Sequence, residues 1–594
     1  MGAQVIFILG FLILMAGLMC VKKMPEKVSF FRSLVICYIT ELCFGAVLAG
    51  IYSVVKIPVG LISMGCGYLV LALLVWGWII YKREMQKFAI YAVDVYSFLV
   101  LTLFFGLLFI KVFTPEIAIV YKNSDPGTHF LMALKVLENK KVSNMYFAPL
   151  YNGLVLELFQ PFLAKISLYK AFILADSVSN YVNLLIFYVI LSTIIKSRFW
   201  KVMSPWVCIL YFLGWPFYSY VAGGYVYFGV GITLFVYVIY LLIILRTQTE
   251  MPKRCVILGL ILLGIFSVSI CYMLFTPFLC VAVVLCLRHI MKKENIVIPK
   301  KVGLTIGIGT LVVAGVIFCI CFFGFFKGDI TQIFSSLRIE GGIHRELYKD
   351  FLFMLPPVIY MGWHYYRKKE TDFIFLTTVV ITGITAFAFL VCIFGGMSGY
   401  YYYKLYYMLW LFFWLVCIQA GEHFIKENKI LLCAYGLPIL AAIVMMFSGG
   451  DAYLATRDLA NENSPSLFPI YEVTKQYINE SYETREMESL ISVSQYINEN
   501  FNEEKGIPLI SSVDKFNYGV WYRDFTGYKQ YWADRSNDSE SEKYLGRVLE
   551  QLGEDGYSYF VIIKTADCYI ENEEVMSVYE AVYDDGYMGL YKMK

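Results

Sequence analysis

Asn123-Ser124-Asp125-Pro126-Gly127-Thr128-His129 is a polar island in an apolar chain. A long apolar segment precedes it, and an amphipathic pattern follows to about Asn139. Apolar runs of about 20 residues are long enough to cross a bilayer core. The island therefore sits at a membrane edge, inside what reads as a bundle of membrane helices. Asp125-Pro126 has the form of an N-cap followed by proline at the first helical position. His129 then lies one turn beyond Asp125, at the same end of that helix. Taken alone, this is also the pattern of an ordinary capped helix with a surface histidine. An acid and a histidine kept together at a hydrocarbon boundary call for a chemical reason.

Composition supports this setting. The chain has 594 residues, 59% of them hydrophobic and only 16% charged. Those proportions describe a polytopic membrane protein, mainly α. A net charge of +3 is too small to point to nucleic acid. Nearly all of the 15 cysteines fall within apolar spans, where they act as small apolar residues, so no disulfide framework is implied. Residues 3–21 lack a basic start and a small-residue cleavage site, and read as a first membrane helix rather than a signal peptide.

About 14 spans are expected, near 5–21, 34–54, 58–81, 89–112, 171–195, 204–220, 223–245, 255–273, 275–289, 302–326, 351–366, 372–394, 403–420 and 430–448. Alternate loops carry the Lys and Arg residues, from Lys22/Lys23 through Lys82/Arg83, Lys196/Arg198 and Arg367/Lys368 to Lys426/Lys429. The positive-inside rule makes that side cytoplasmic. The assignment requires that residues 145–167, with Pro149, Asn152, Glu157 and Pro161, lie in-plane or re-entrant. Loops 113–170, 327–350 and 395–402 then face outward, as do the N-terminus and a soluble tail. Residues 1–448 make a membrane domain, and 449–594 an extracytoplasmic α/β domain. In the tail, helices are expected at 485–500 and 541–553, and strands at 507–511, 557–564 and 587–593. Residues 517–524 read as a loop carrying aromatic side chains.

An acid just after a span, an amphipathic helix and then the Pro/aromatic segment Tyr146-Phe147-Ala148-Pro149-Leu150-Tyr151-Asn152 resemble the first large external loop of GT-C fold glycosyltransferases. These are polytopic plasma-membrane enzymes that take sugars from polyprenyl-phosphate carriers. The resemblance implies that Asp125 is the catalytic base, with His129 as partner or ligand. It implies a carrier-phosphate role for Lys404, at the outer start of a late helix, beside Tyr403. The alternative for Lys404 is a snorkelling lysine in an aromatic belt. Tyr151, Asn152, Asp176, Arg338 and Arg345 complete the candidate substrate-binding set. Some members use a divalent metal, Mg²⁺ or Mn²⁺, for which Asp125 and His129 are the only candidates. No second carboxylate adjoins Asp125, a departure from the commoner pattern of the family. The resemblance also departs in having three extra spans before the loop.

Chemistry gives these residue types a purpose. A carboxylate that accepts the acceptor's hydroxyl proton is worth about 10²–10⁴-fold. The leaving lipid phosphate needs a cation. The expected function is an inverting transfer of sugar to a cell-surface glycan, lipid or polymer. A flippase for lipid-linked saccharides and a polysaccharide polymerase are the alternatives. Broken, repeated helices of the transporter kind are not evident. Glu41 and Asp94, acids within spans, are expected to pair with loop lysines, since an unpaired charge at mid-membrane costs roughly 2.5–3.5 kcal/mol. The topology predicts that single cysteines at positions 125 and 523 react with an impermeant thiol reagent on intact cells while one at 292 does not. The reverse pattern would overturn it.

Overall fold

A computed structural model describes residues 2–21, 28–83, 85–121, 123–142, 147–294, 347–369, 372–394, 404–427, 469–479, 484–501, 505–512, 515–532 and 544–594. The chain is a polytopic helical bundle followed by a small α/β unit. The bundle comprises α1 (Gly2–Cys20), α2 (Phe30–Val55), α3 (Leu61–Lys82), α4 (Ala92–Phe113), α5 (Asp125–Asn139), α6 (Pro149–Phe159), α7 (Leu168–Ile194), α8 (Arg198–Leu213), α9 (Trp215–Phe217), α10 (Val226–Thr247), α11 (Met251–Cys271), α12 (Thr276–Lys293), α13 (Leu355–Lys368), α14 (Phe373–Ile393) and α15 (Tyr406–Glu427). Among the described residues nine helices are long and apolar enough to cross a membrane: α1–α4, α7, α10–α12 and α14. Their outward side chains, such as Leu73, Leu74, Leu99 and Leu103, are more than half exposed. Such a surface suits lipid and not water. The spans expected at 302–326 and 430–448, and the domain boundary at 448, lie outside the described residues.

Helix α6 has 11 residues, about 16 Å of helix. That is half of a bilayer core, in keeping with an in-plane or re-entrant segment. The span expected at 204–220 is broken. Helix α8 stops at Gly214, where an added Cβ would lie 2.3 Å from the Trp410 ring. Trp410 fits into this gap and donates from its indole to the Tyr211 carbonyl at 2.9 Å. After α9 the chain continues as a π-helical turn, Tyr218–Ala222, a geometry found mostly at functional sites.

One end of the bundle is held by ions. Arg32 meets Asp94 at 3.0 Å, and Arg246 pairs with Asp372. Glu422 of α15 accepts from the Lys196 and Ser197 amides at 3.1 and 3.0 Å and from the Ser197 hydroxyl at 2.9 Å, tying α15 to the start of α8. Two expectations are corrected here. Asp94 pairs with a bundle arginine rather than a loop lysine, because Arg32, Ser29 and Tyr188 converge on it from neighbouring helices. Glu41 is buried, and its carboxyl oxygens have no hydrogen-bond partner among the described residues.

The α/β unit comprises α16 (Pro469–Asn479), α17 (Arg485–Asn500), β3 (Leu509–Ser511), α18 (Phe516–Thr526), β4 (Gln530–Trp532), α19 (Tyr544–Glu554), β5 (Tyr559–Ile563), β6 (Glu580–Asp584) and β7 (Met588–Lys592). A two-residue parallel pair in the bundle, β1 (Val28–Ser29) with β2 (Phe88–Ala89), precedes them in the chain. The sheet order is β4-β3-β5-β7-β6, parallel across β4-β3-β5 and antiparallel beyond. Residues 517–524, expected as a loop, belong to helix α18. Trp521 and Phe525 fall one turn apart on one apolar face, and burial of Trp521 and Tyr522 stabilises the helix. The unit is seated on the bundle. Tyr471 and Thr474 of α16 donate to the Leu210 and Leu213 carbonyls at 2.8 and 2.7 Å.

Glu422→Ala would leave two amides and a hydroxyl without their acceptor, a loss of about 1–3 kcal/mol. A clearly lower thermal midpoint of the purified protein is expected. An unchanged midpoint would show that this cross-link contributes nothing.

Candidate functional site at the edge of the bundle

Helix α5 begins at Asp125, with Pro126 in its first turn and Ser124 before it. The start lies one residue earlier than the cap pattern indicates, within the ordinary uncertainty of helix ends. The preceding segment is pinned to the π-turn. Asn123 donates from its amide to the Ala222 and Gly223 carbonyls at 3.2 and 2.6 Å. Gly224 has φ +59°, and a Cβ there would meet Pro126 Cγ at 2.5 Å and Asn123 Oδ1 at 2.8 Å. Only glycine suits both the backbone conformation and the space.

The other side of the same turn is covered by the α/β unit. A Cβ on Gly127 would lie 2.8 Å from Val520 of α18 and 3.4 Å from the Trp521 ring. The Phe130 ring lies 5.6 Å from that of Trp521 and 6.4 Å from that of Phe525. Asn517 donates to the Tyr121 carbonyl at 3.4 Å. The acid-bearing turn is thus clamped between the π-turn and α18.

Within the clamp, Asp125, His129 and Lys404 form one electrostatic group. Burial raises the Asp125 pKa, and the Lys404 charge draws it partly back. Lys404 lies just before α15, is only 6% exposed, and sits with its ammonium 5.0 Å from the centre of the Tyr225 ring. Such a cation–π contact compensates part of a lost hydration shell. His129 is held neutral: burial first, and Lys404 second, push its pKa down to about 3. Its ring lies 4.5 Å from the Tyr227 ring, while the Tyr227 hydroxyl donates to its backbone carbonyl. His129 Nδ1 is buried and has no hydrogen-bond partner among the described residues.

The other candidates are distributed differently. The Tyr151 hydroxyl donates to the Leu42 carbonyl of α2 at 2.8 Å, a packing role between α6 and α2. Asn152 is 2% exposed and its amide nitrogen has no partner among the described residues. Asp176 is buried in α7, with one oxygen 3.3 Å from the Asn180 amide. Its neighbour Ser177 hydrogen-bonds Tyr220 of the π-turn at 2.5 Å. Arg338, Arg345 and Tyr403 lie outside the described residues. Sequence reasoning gave no role to Asn123, Gly224, Tyr225 or Tyr227. Gly223-Gly224, set between Tyr220 and Tyr225, is a local signal that points to this place.

Among the described residues no group of three or more His, Cys, Asp or Glu side chains is arranged to hold a metal. Asp125 and His129 supply two donors, and Lys404 places an ammonium beside them. That set does not by itself fit a divalent cation.

No family model and no curated protein matches the chain. Among solved structures the chain is similar to ArnT from Cupriavidus metallidurans bound to undecaprenyl phosphate. The identity is 11% and the TM-score 0.46, over 84% of this chain and 97% of that one. The apo state of the same ArnT gives 10% identity and a TM-score of 0.43, over 85% and 99% of the two chains. An oligosaccharyltransferase from Archaeoglobus fulgidus in the apo form gives 10% identity and a TM-score of 0.40, over 79% and 69%. The likeness to these structures is one of overall layout.

The clamp carries its own titration. Asp524 of α18 is buried, and its pKa is pushed up to about 8 by desolvation, against the opposing pull of Arg523 and Lys135. Arg523 Nε lies 3.6 Å from its carboxylate. A raised folded-state pKa gives stability that is complete below the ordinary carboxylate value of about 3.9 and lost as pH rises through about 8. Asp524→Asn is expected to match wild type near pH 4 and to gain in thermal midpoint progressively up to pH 8. Parallel curves across that range would contradict the assignment.

Proposed function

We propose that this protein is a membrane glycosyltransferase acting at the extracytoplasmic face. In this reading it moves a sugar from a polyprenyl-phosphate donor to a hydroxyl of a surface glycan, lipid or polymer. The observation that carries the proposal is the gathering of Asp125, His129 and Lys404 around one clamped turn where the bundle meets the α/β unit. A half-buried carboxyl with a raised pKa is a better base than an ordinary one. A buried ammonium beside it supplies positive charge where a phosphate would leave.

The step balances as a single displacement. The Asp125 carboxylate accepts the acceptor's hydroxyl proton as that oxygen bonds the anomeric carbon. The bond from that carbon to the phosphate oxygen breaks, and the phosphate departs with the electron pair toward Lys404. Attack opposite the leaving group inverts the anomeric centre. His129, neutral at working pH, orients a bound hydroxyl through its ring nitrogens rather than exchanging a proton. Trp521 and Val520 hold the turn and keep water from it. The α/β unit then acts through positioning.

With radiolabelled polyprenyl-phosphate sugars in nanodiscs, Asp125→Asn is expected to lower kcat/KM by about 10²–10⁴-fold. Lys404→Gln removes the charge that draws the Asp125 pKa down, so the acidic limb of its residual activity should move to higher pH. Full activity in Asp125→Asn would remove the base. An unmoved limb in Lys404→Gln would uncouple the pair. Loss of lipid flipping with transfer intact would favour the flippase.

A further inference from the structure

At the end of the bundle away from Asp125 lies a cavity of about 620 Å³, which the transfer chemistry does not use. It opens among the starts of α2, α4 and α8 and the ends of α7 and α10. Its lining includes Arg32, Lys201, Tyr91 and Tyr240, with apolar walls of Ile36 and Ile244. A volume of this order suits a small ligand or headgroup.

The donors are arranged for an anion. Asp94 holds Arg32 through Nε, at 3.1 and 3.0 Å to its two carboxylate oxygens. The same carboxylate accepts from Ser29 at 2.5 Å and Tyr188 at 2.6 Å. This locks the guanidinium and leaves its terminal nitrogens with no hydrogen bond to any described residue. The Tyr91 ring centre lies 5.9 Å from the guanidinium carbon. Ser192, Thr193 and Ser204 donate their protons to helix carbonyls, each at 2.8 Å. The donors that remain are the Arg32 terminal nitrogens, the Lys201 ammonium and the Tyr91 and Tyr240 hydroxyls. With Asp94 offsetting one of the two cations, the pocket is left with one net positive charge. A planar guanidinium fork fixed beside a mobile ammonium is suited to phosphate oxygens. Basic pockets between membrane helices on the cytoplasmic side are a known form of headgroup site.

We infer that this cavity, at the end of the bundle that the positive loops assign to the cytoplasm, binds a phosphate-bearing anion through Arg32, Lys201 and Tyr240. The anion is a phospholipid headgroup or a free phosphate. The apolar walls beside the donors favour a group that carries acyl chains. The inference is independent of the transferase reading.

The test is native mass spectrometry of the full-length protein in detergent. The probes are short-chain phosphatidylglycerol, short-chain phosphatidylcholine and inorganic phosphate. Phosphatidylglycerol should bind more tightly than phosphatidylcholine, and Lys201→Gln should weaken it about fivefold, as expected for one basic contact. Tyr240→Phe should weaken it too, with a charge-neutral change. Lys201 is exposed at the rim, so its replacement leaves the Arg32–Asp94 pair intact and the fold undisturbed. Lys292→Gln, at the same end but outside the cavity, should change nothing. Displacement of the lipid by millimolar inorganic phosphate would support the site and identify a free anion as the ligand; resistance to it would support the site and identify the headgroup. Equal losses in Lys201→Gln and Lys292→Gln would reveal diffuse surface attraction and overturn the inference, as would unchanged binding in both Lys201→Gln and Tyr240→Phe.

Discussion

A half-buried carboxyl, Asp125, and a buried ammonium, Lys404, share one membrane edge. Asp125 and Lys404 come from elements far apart in the chain, and each alters the other's electrostatic environment. Burying either charge alone would cost several kcal/mol. Placed together, with an aromatic ring under the ammonium, they can persist in a partly desolvated state. Neighbouring contacts hold the two elements in place.

Two rigid contacts do this. On one side the π-turn and Gly224 receive Asn123 and Pro126. On the other, α18 lays Val520 and Trp521 against Gly127. The contacts come from a bundle helix break and from the C-terminal unit, so the turn is fixed only when both parts are folded. A binding or catalytic group gains from such support because small displacements are costly in rate. The tail therefore bears on the position of this turn.

Much of this was legible in the chain, for physical reasons that can be named. Membrane helices announce themselves by length and apolarity, and the acid island stood out because charge is rare in that setting. Lys404 could be singled out because a lysine at that end of a span lacks the usual reason to be there. Other features depend on contacts that no local pattern encodes. The break at Gly214 exists because Trp410 occupies it. Asp94 found Arg32 and Tyr188 through helix packing, which periodicity does not reveal. Helix α18 looked like a loop because Asn517, Gly519 and Asp524 interrupt its apolar face, and its stability comes from Trp521 and Tyr522 being buried.

The most direct measurement is the protonation of Asp125 itself, followed by isotope-edited infrared titration of the carboxyl stretch with Asp125→Asn as the blank. The predicted midpoint lies above the usual carboxylate value of about 3.9 and rises further in Lys404→Gln. A midpoint at or below that value, unmoved by loss of the lysine, would contradict it.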